Sequence, residues 1–528
     1  MTAADLLTAC LEVEGVDHVF GLPGEELQEL LFSLRDSDVT FVPVRHEQGA
    51  AFMADVYGRL TGDAGVCLST LGPGATNLLT GVADANLDKA PLVAITGQSG
   101  REHLARESHQ TIDVVDMFEP VTKWNAPVTD PEIVPELVRK AFKVAEYEKP
   151  GATHLEFSED VAALDADADP LATRARVRRP NPDPASIERA ADVLEAADRP
   201  IVLAGNGAVR TPAADALRTF VAKMDLPVVA TYMGKGAVSD ADDHSLMTLD
   251  SGPDSEGGRA IERADCVLAV GYDVAEHDPV DWNPDLDTTV VHVDLGPAEV
   301  YRNYNPEVEV VSDPAAALQA LTDVADPDAG SEWCTDFRER IVESISTRPD
   351  ADESDPFTVR GVLPVLRAVM ADADVLVSDV GSHKMAIAQN FPTYEPNTCV
   401  ISNGLASMGI AVPGGLAADL AVDANVVAAT GDGGFLMNAA EMETATRIGC
   451  GYTILLFVDD DYGLITEHQQ EATGEHFGTK IGNPDFVTFA ESFGIDAYRP
   501  DSWDGLESAL DDAVGSDEMN LVVVRLAQ

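Results

Sequence analysis

Short runs of consecutive apolar residues alternate along this chain with longer stretches whose apolar positions recur every three or four residues. The first kind reads as buried strands and the second as amphipathic helices. VTFVPV (39–44), GVCLST (65–70) and PLVAITG (91–97) predict strands. Between them lie two helical stretches, HEQGAAFMADVYGRLTG (46–62), ending at glycine, and GPGATNLLTGVADANLD (72–88), which opens on a Gly-rich turn. The pattern resumes with PIVLAGNGAV (200–209), LPVVATY (226–232), CVLAVGY (266–272) and TVVHVDL (289–295). It returns once more with DVLVSDVG (374–381), NVVAATGDGG (425–434), YTILLFVDDD (452–461) and NLVVVRL (520–526). Such alternation is the mark of parallel α/β sheets. Two stretches interrupt it, the charged, Pro-rich 161–185 and the mixed 325–356. The expected fold is therefore α/β, with three doubly wound parallel-sheet domains over 1–165, 186–324 and 357–528. The outer two are similar in size and style.

Composition narrows the function classes. The 528 residues include 34 Lys plus Arg against 92 Asp plus Glu, a net charge of −58. An acid excess this large repels nucleic acid and anionic membranes. With 45% apolar residues the chain can build full cores, so disorder does not explain the charge. A protein kept soluble in concentrated salt does: at 1 M the Debye length is only ~3 Å, which screens the self-repulsion. A halophile's cytoplasm is the expected setting. The six scattered cysteines form no Cys-x-x-Cys pair and are expected to be free, buried thiols. The first residues lack the basic start of a secretory signal, and no apolar run approaches the ~18 residues of a membrane span.

The chemistry concentrates near the end. Asp432 follows the strand VVAAT, and Asp459, the first acid of Val-Asp-Asp-Asp, follows the strand TILLFV. A separation of 27 residues fits one right-handed crossover, which sets both acids at the carboxyl edge of the sheet, where open α/β sheets bind ligands. Gly431, Gly433 and Gly434 allow close backbone approach and lead into a helix N-terminus that favours phosphate. Alone, GDGG reads as a tight turn and DDD as acidic surface. Together they suggest a magnesium diphosphate, since Mg²⁺ combines one or two carboxylates with substrate phosphates. Asp459 would ligate through its side chain and Asp461 through its carbonyl, leaving Asp460 to solvent.

These residues resemble the thiamine-diphosphate signature, which opens on GDG and closes about thirty residues later on NN or ND. Here Asp459 stands in place of the usual ligand asparagine. VFGLPGEELQELLFSL (19–34), VRHEQGAAFMADVYGRLTG (44–62) and TLGPGATNLLTGVADANLDKAPLVAITGQ (70–98) are similar to the pyrimidine-binding domain of the acetohydroxyacid and acetolactate synthase group. The resemblance implies pyrimidine-binding, central and diphosphate-binding domains, with thiamine diphosphate and Mg²⁺ as cofactors. It makes Glu47 the residue that protonates the aminopyrimidine; outside that context it is an ordinary first-turn glutamate. SDVGSHKM (378–385) resembles the loop touching the diphosphate, implicating Gly381, Ser382 and His383. ISNGLASMG (401–409) resembles the stretch holding the pyrimidine, with Met408 as an apolar wedge and Ala406 offering a carbonyl. Tyr462 and Gly463 are implied as further cofactor contacts. Gln110 and Lys123 match polar positions of the substrate-side segment, where Lys123 would attract a keto-acid carboxylate; a snorkelling surface lysine is the competing reading.

Where biosynthetic members of the group hold a flavin, this chain reads AVGYDVAEHDPVDWN (269–283), without their arginine, and it resembles the catabolic, flavin-independent branch. GNGAVR (205–210) is not a full dinucleotide fingerprint, because Arg210 takes the last glycine's place. FAD is therefore expected not to be required. The implied reaction decarboxylates pyruvate and joins the two-carbon unit to a second 2-keto acid, giving acetolactate. A 2-keto-acid decarboxylase or aldehyde lyase on the same fold is the alternative, and a non-catalytic cofactor-binding subunit is an alternative of another class. The group builds its active site between subunits, so a homodimer or homotetramer is implied. A regulatory subunit is left open.

Overall fold

The computed structural model describes residues 1–104, 106–210, 212–250, 255–326, 330–346 and 356–527. Three six-stranded sheets organise them, and every strand pairing within each is parallel. The first holds β1 (His18–Gly21), β2 (Thr40–Pro43), β3 (Gly65–Ser69), β4 (Leu92–Gln98), β5 (Trp124–Val128) and β6 (Ala152–Ser158), ordered 2-1-3-4-6-5. The second holds β7 (Pro200–Ala204), β8 (Val228–Ala230), β9 (Ser245–Thr248), β10 (Cys266–Val270), β11 (Thr289–Asp294) and β12 (Val308–Val311), ordered 12-11-10-7-8-9. The third holds β13 (Val375–Ser378), β14 (Cys399–Ile401), β15 (Val426–Gly431), β16 (Thr453–Val458), β17 (Asp496–Tyr498) and β18 (Asn520–Arg525), ordered 14-13-15-16-18-17. The outer sheets thus share one topology, whereas the middle sheet has the dinucleotide-fold order. In each, the chain reverses direction across the sheet beside its first strand, which opens a crevice at the carboxyl edge.

An extended stretch, 166–183, leads from the first unit to the second. Of the expected second linker, 327–329 and 347–355 lie outside the described residues, and a helix, Thr335–Ser346, occupies part of the remainder. The strand expected over 200–209 stops at Ala204, and a short helix, Asn206–Arg210, takes its second half. Gly205 and Gly207 there pack so closely on Gly271 that a Cβ on either would meet its backbone at 2.5–2.6 Å. All six cysteines are free and buried. Among the described residues no helix is long and apolar enough to cross a membrane.

The first and third units share one apolar core. The helices Glu47–Thr61 and Ala411–Ala421 lie against each other, and a Cβ on Gly414 would sit 2.9 Å from the Val56 side chain. The last turn of the first helix also carries Arg59, whose side chain is only 10% exposed. Its guanidinium reaches Asp55 at 2.5 Å, Asp88 at 2.7 Å and Asp84 at 3.3 Å, and donates to the Ile401 carbonyl at 3.1 Å. The same carboxylates then take donors from the third unit: Ser402 Oγ and Ser407 N on Asp84, and Asn403 N on Asp88. Burial, and repulsion from Asp88 and Asp55, push the Asp84 carboxyl well above the usual range.

Removing the cation would leave three buried acids without their partner. Arg59→Leu should cost about 3–5 kcal/mol, as breaking a buried ion pair from one side does. Equilibrium denaturation would register this as an early transition of the first and third units; an unchanged midpoint would contradict it.

Candidate active site

Parallel pairing of β15 with β16 sets Gly431 opposite Phe457, so Asp432 and Asp459 emerge side by side at the carboxyl edge. Asp432 opens the helix Asp432–Asn438. Its Oδ2 accepts the Asp460 N–H at 2.9 Å and the Asn483 amide at 2.6 Å, while Asp459 Oδ1 accepts the Asp461 N–H at 3.2 Å. Burial raises the Asp432 carboxyl, and burial together with the Asp432 charge raises Asp459 to about 6. Two acids so placed repel each other, and a divalent cation between them would remove the repulsion.

The three consecutive acids have separate tasks. Asp460 is not left to solvent: it pairs with Arg525 and accepts from Asn483 at 2.8 Å. Asp461 turns its carboxylate to Thr466 at 2.7 Å and Lys480 at 3.1 Å. The bridge between Asp461 and Lys480 uses the Asp460 carbonyl and the Tyr462 N–H, so the Asp461 carbonyl is not consumed by it. Among the described residues no cluster of three or more His, Cys, Asp or Glu is arranged for a metal. A cation here would rest on two carboxylates, a backbone oxygen and a ligand's phosphates, which suits Mg²⁺.

The glycines keep the adjoining space open. A Cβ on Gly433 would meet the Tyr462 ring at 2.7 Å and Met408 at 3.5 Å, and one on Gly434 would meet Asp379 at 2.9 Å. One on Gly381 would meet the His383 ring at 3.0 Å, and one on Gly431 would meet it at 3.3 Å. Gly463 lies with Asp459 Oδ2 and Ser382 Oγ within 3.4 Å of the same position. Burial lowers the His383 pKa to about 4, with Lys384 adding to the effect, so the ring is neutral. Its buried Nε2 has no hydrogen-bond partner, as befits a group waiting for a ligand oxygen. These contacts gather Gly381, Ser382, His383, Met408, Gly431, Asp432, Gly433, Gly434, Asp459, Tyr462 and Gly463 at one edge. Ala406, in a left-handed conformation at φ +54°, lies on the same loop as Met408.

The residue that fixes this loop is Asp379, fully buried at the end of β13. It accepts the Gly409 N–H at 2.7 Å, the Val380 N–H at 2.7 Å and the Thr430 hydroxyl at 2.9 Å. Sequence reasoning quoted the segment but passed over this acid. It also missed Asn483, which joins Asp432 to Asp460 from a loop 23 residues beyond Asp460 with no motif of its own.

Glu47 heads the other half. It is buried at the first turn of its helix, and Asn77 donates to its Oε2 at 2.9 Å. A Cβ on Gly74 would lie 3.2 Å from its Oε1. The preceding backbone is held by Glu441 of the third unit, which accepts the Arg45 and His46 N–H groups at 3.0–3.2 Å. Gln110, exposed at φ +55°, covers Gly72 at the start of the same Gly-rich helix, Gly72–Leu87, and so lies on the Glu47 side.

Lys123 does not join them. It immediately precedes β5 and therefore lies at the amino edge of the first sheet, opposite the edge that carries Glu47. Its ammonium donates to the carbonyls of Val144, Tyr147 and Lys149 at 2.6–2.7 Å, which uses all three protons. It has none to offer a keto acid. The expectation for Lys123 is corrected on that ground.

The two halves are tied together through one helix of the first unit. Asn77 holds Glu47, and Asp84 holds Ser407 on the loop of Met408. The two contacts lie seven residues apart on that helix, about 10 Å along its axis.

Two α/β half-sites, one with an acid-rich anion cradle, define a cofactor-dependent enzyme class, and comparison identifies it. Residues 1–117 match the N-terminal TPP binding domain of thiamine pyrophosphate enzymes, 187–321 their central domain and 379–524 their C-terminal TPP binding domain. The chain belongs to the thiamine pyrophosphate enzyme family, within its acetolactate synthase group. It is 34% identical to an acetolactate synthase of Bacillus subtilis over 96% of this chain and 90% of that one. It is 35% identical to a catabolic acetolactate synthase of Raoultella terrigena, with 99% and 94% covered. The acetolactate synthase isozyme 2 large subunit of Escherichia coli is 32% identical, with 100% and 96% covered.

Asp379→Asn turns one acceptor into a donor facing donors, which costs about 1–3 kcal/mol locally. Thiamine diphosphate affinity should fall roughly tenfold or more. Calorimetric titration of the folded variant checks this; equal affinity would remove Asp379 from the account.

Proposed function

We propose that this chain is an acetolactate synthase that decarboxylates pyruvate and joins the two-carbon unit to a second 2-keto acid. The observation that carries the reading is the pairing of Asp432 with Asp459 beside an open glycine cradle, in a chain that matches acetolactate synthases almost end to end. When bound, thiamine diphosphate supplies the nucleophilic carbon and accepts the electrons that decarboxylation leaves behind.

The chain's own residues do the rest. Asp432 and Asp459, with the Asp461 carbonyl, would hold Mg²⁺. Ser382, His383 and the N–H groups beside Gly381, Gly433 and Gly434 would hold the phosphates, with Tyr462 and Gly463 closing over them. Met408 and Ala406 would seat the pyrimidine. Glu47, buried and oriented by Asn77, would hold a proton against the pyrimidine ring, and Gln110 would face the substrate. The resemblance to the acetolactate synthase group supports a site completed by the Glu47 edge of a second copy, in a homodimer or homotetramer.

FAD is not required on this reading. In the middle sheet a dinucleotide phosphate would rest where Gly205-Asn206-Gly207 follows β7. The buried carboxylate of Glu276 already accepts the Asn206 N–H at 2.8 Å, the Asp273 N–H at 2.9 Å and the Thr231 hydroxyl at 2.6 Å. An internal carboxyl group already filling that position supports the flavin-independent, catabolic branch. The net charge of −58 supports work in concentrated salt, in a halophile's cytoplasm.

The test is purified protein with pyruvate, thiamine diphosphate and Mg²⁺ in molar KCl, without FAD. Acetolactate should form. Glu47→Gln should lower its rate at least a hundredfold, the usual size of a lost acid–base contribution, with cofactor affinity retained. Acetaldehyde as sole product would make the protein a decarboxylase, and dependence on added FAD would overturn the flavin-independent reading.

A further inference from the structure

The segment that carries the chain from β2 to Glu47 is held from the third domain. β2 ends at Pro43, and the helix of Glu47 is capped by His46, whose side chain accepts the Gln48 N–H at 3.1 Å. Val44, Arg45 and His46 make the turn between strand and helix, and such a turn leaves backbone groups that need partners. The helix Glu441–Ile448 supplies them. Arg447 donates to the Pro43 carbonyl, and Glu443 lies 3.9 Å from the Arg45 guanidinium. Glu441 accepts the Arg45 N–H on both its oxygens, at 3.1 and 3.2 Å, and the His46 N–H at 3.0 Å.

Glu443 and Arg447 are partly exposed, but Glu441 is wholly buried. The Thr444 hydroxyl donates to its Oε2 at 2.6 Å, so both oxygens are engaged and the side chain is fixed. It lies directly beneath the first turn that Glu47 opens. A Cβ on Gly49 would meet the Glu441 Oε1 at 2.8 Å and its Cγ at 3.0 Å, so that glycine makes room for it. The same acid stands close to the other half-site in sequence. Only Ala439 and Ala440 separate its helix from the helix Asp432–Asn438, which Asp432 opens. Asn438, at the end of that helix, donates to the Gly409 carbonyl at 2.8 Å on the loop of Met408. A buried charge is a weak source of stability; what it fixes well is geometry.

We propose that Glu441 is a positioning residue for the reaction, setting from the third domain the direction in which Glu47 presents its carboxyl. The proposal rests on the thiamine reading of Glu47. Glu441 acts through the backbone of Arg45 and His46 and needs no contact with cofactor or substrate. Two consecutive N–H groups on one fixed carboxylate define the orientation of the peptide units that lead into Glu47. Proton transfer requires hydrogen-bond reach, and a displacement of about 1 Å can cost about a hundredfold in rate. In an assembly where the halves of each centre come from different copies, Glu47 and Asp432 of one chain serve different centres. Glu441 then ties the acid of one centre to the cation cradle of the other.

The test is Glu441→Gln, which keeps the size of the side chain but puts an amide NH₂ among donors. In cofactor-free protein, hydrogen exchange read by mass spectrometry should quicken several-fold in the peptide spanning 43–49. In protein saturated with thiamine diphosphate and Mg²⁺, exchange of the cofactor's reactive carbon-bound proton for deuterium should slow roughly ten- to a hundredfold, with cofactor affinity retained. In a Glu47→Gln background the same substitution should add nothing, because both act through one carboxyl. Thr444→Val, which releases one oxygen of Glu441, should give a smaller change in the same direction. It keeps the test decisive if Glu441→Gln does not fold. Unchanged cofactor proton exchange in whichever variant folds, or an equal slowing in the Glu47→Gln background, would overturn the proposal. A wild-type protein without cofactor proton exchange would overturn the thiamine reading and this one with it. The identity of the product does not enter.

Discussion

A single buried guanidinium joins the two ends of this chain. Arg59 stands where the helix of Glu47 ends, and it gathers Asp55, Asp84 and Asp88 into one network. Those carboxylates, once gathered, have lone pairs left over. The third domain supplies the donors: Ser402, Asn403 and Ser407, all on the loop that carries Met408. The position of that loop relative to the first domain therefore depends on a charge balance at the far end of the Glu47 helix. Burial makes the arrangement stiff, because no member can turn away without leaving a charge unpaired. The apolar contact between the helices Glu47–Thr61 and Ala411–Ala421 supplies the burial, and the ionic network supplies the register.

Much of this was legible from residues alone. The parallel α/β pattern was visible because the central strands, such as β4, β10, β15 and β16, are buried on both faces and read as unbroken apolar runs. The short or polar edge strands were not. β5, WNAPV, contains proline, and β17, DAY, has only three residues. The pairing of Asp432 with Asp459 followed from strand parity and one crossover, which are local rules. Asp379, Asn483 and Glu441 could not be found in that way. Each acts through partners distant in sequence, and periodicity carries no sign of such a partner. Lys123 failed for a related reason: a lysine's residue type says nothing about which edge of a sheet it occupies. Asp460 was assigned to solvent because acids are abundant here, yet it anchors Arg525 and Asn483.

The acid excess of the chain governs where its few cations are placed. A chain with few cations cannot scatter them. Arg59, Arg174 and Lys149 are all engaged near domain junctions, where each neutralises carboxylates drawn from more than one segment. Cations are thus used as internal fasteners, and the exterior is left to the acids.

The outer sheets share the strand order 2-1-3-4-6-5, and each presents its crevice at the carboxyl edge. One crevice carries Glu47 and the other Asp432 and Asp459. The two unlike halves of a catalytic centre are thus translated from one message in a fixed one-to-one ratio. Where such halves join between copies, any closed even-numbered assembly has as many complete centres as chains, with no half left over. Two chains damaged in different halves would still make one sound centre when they pair, because both defects fall together in the other. Tolerance of that kind comes from topology alone and would persist however far the surface residues drift.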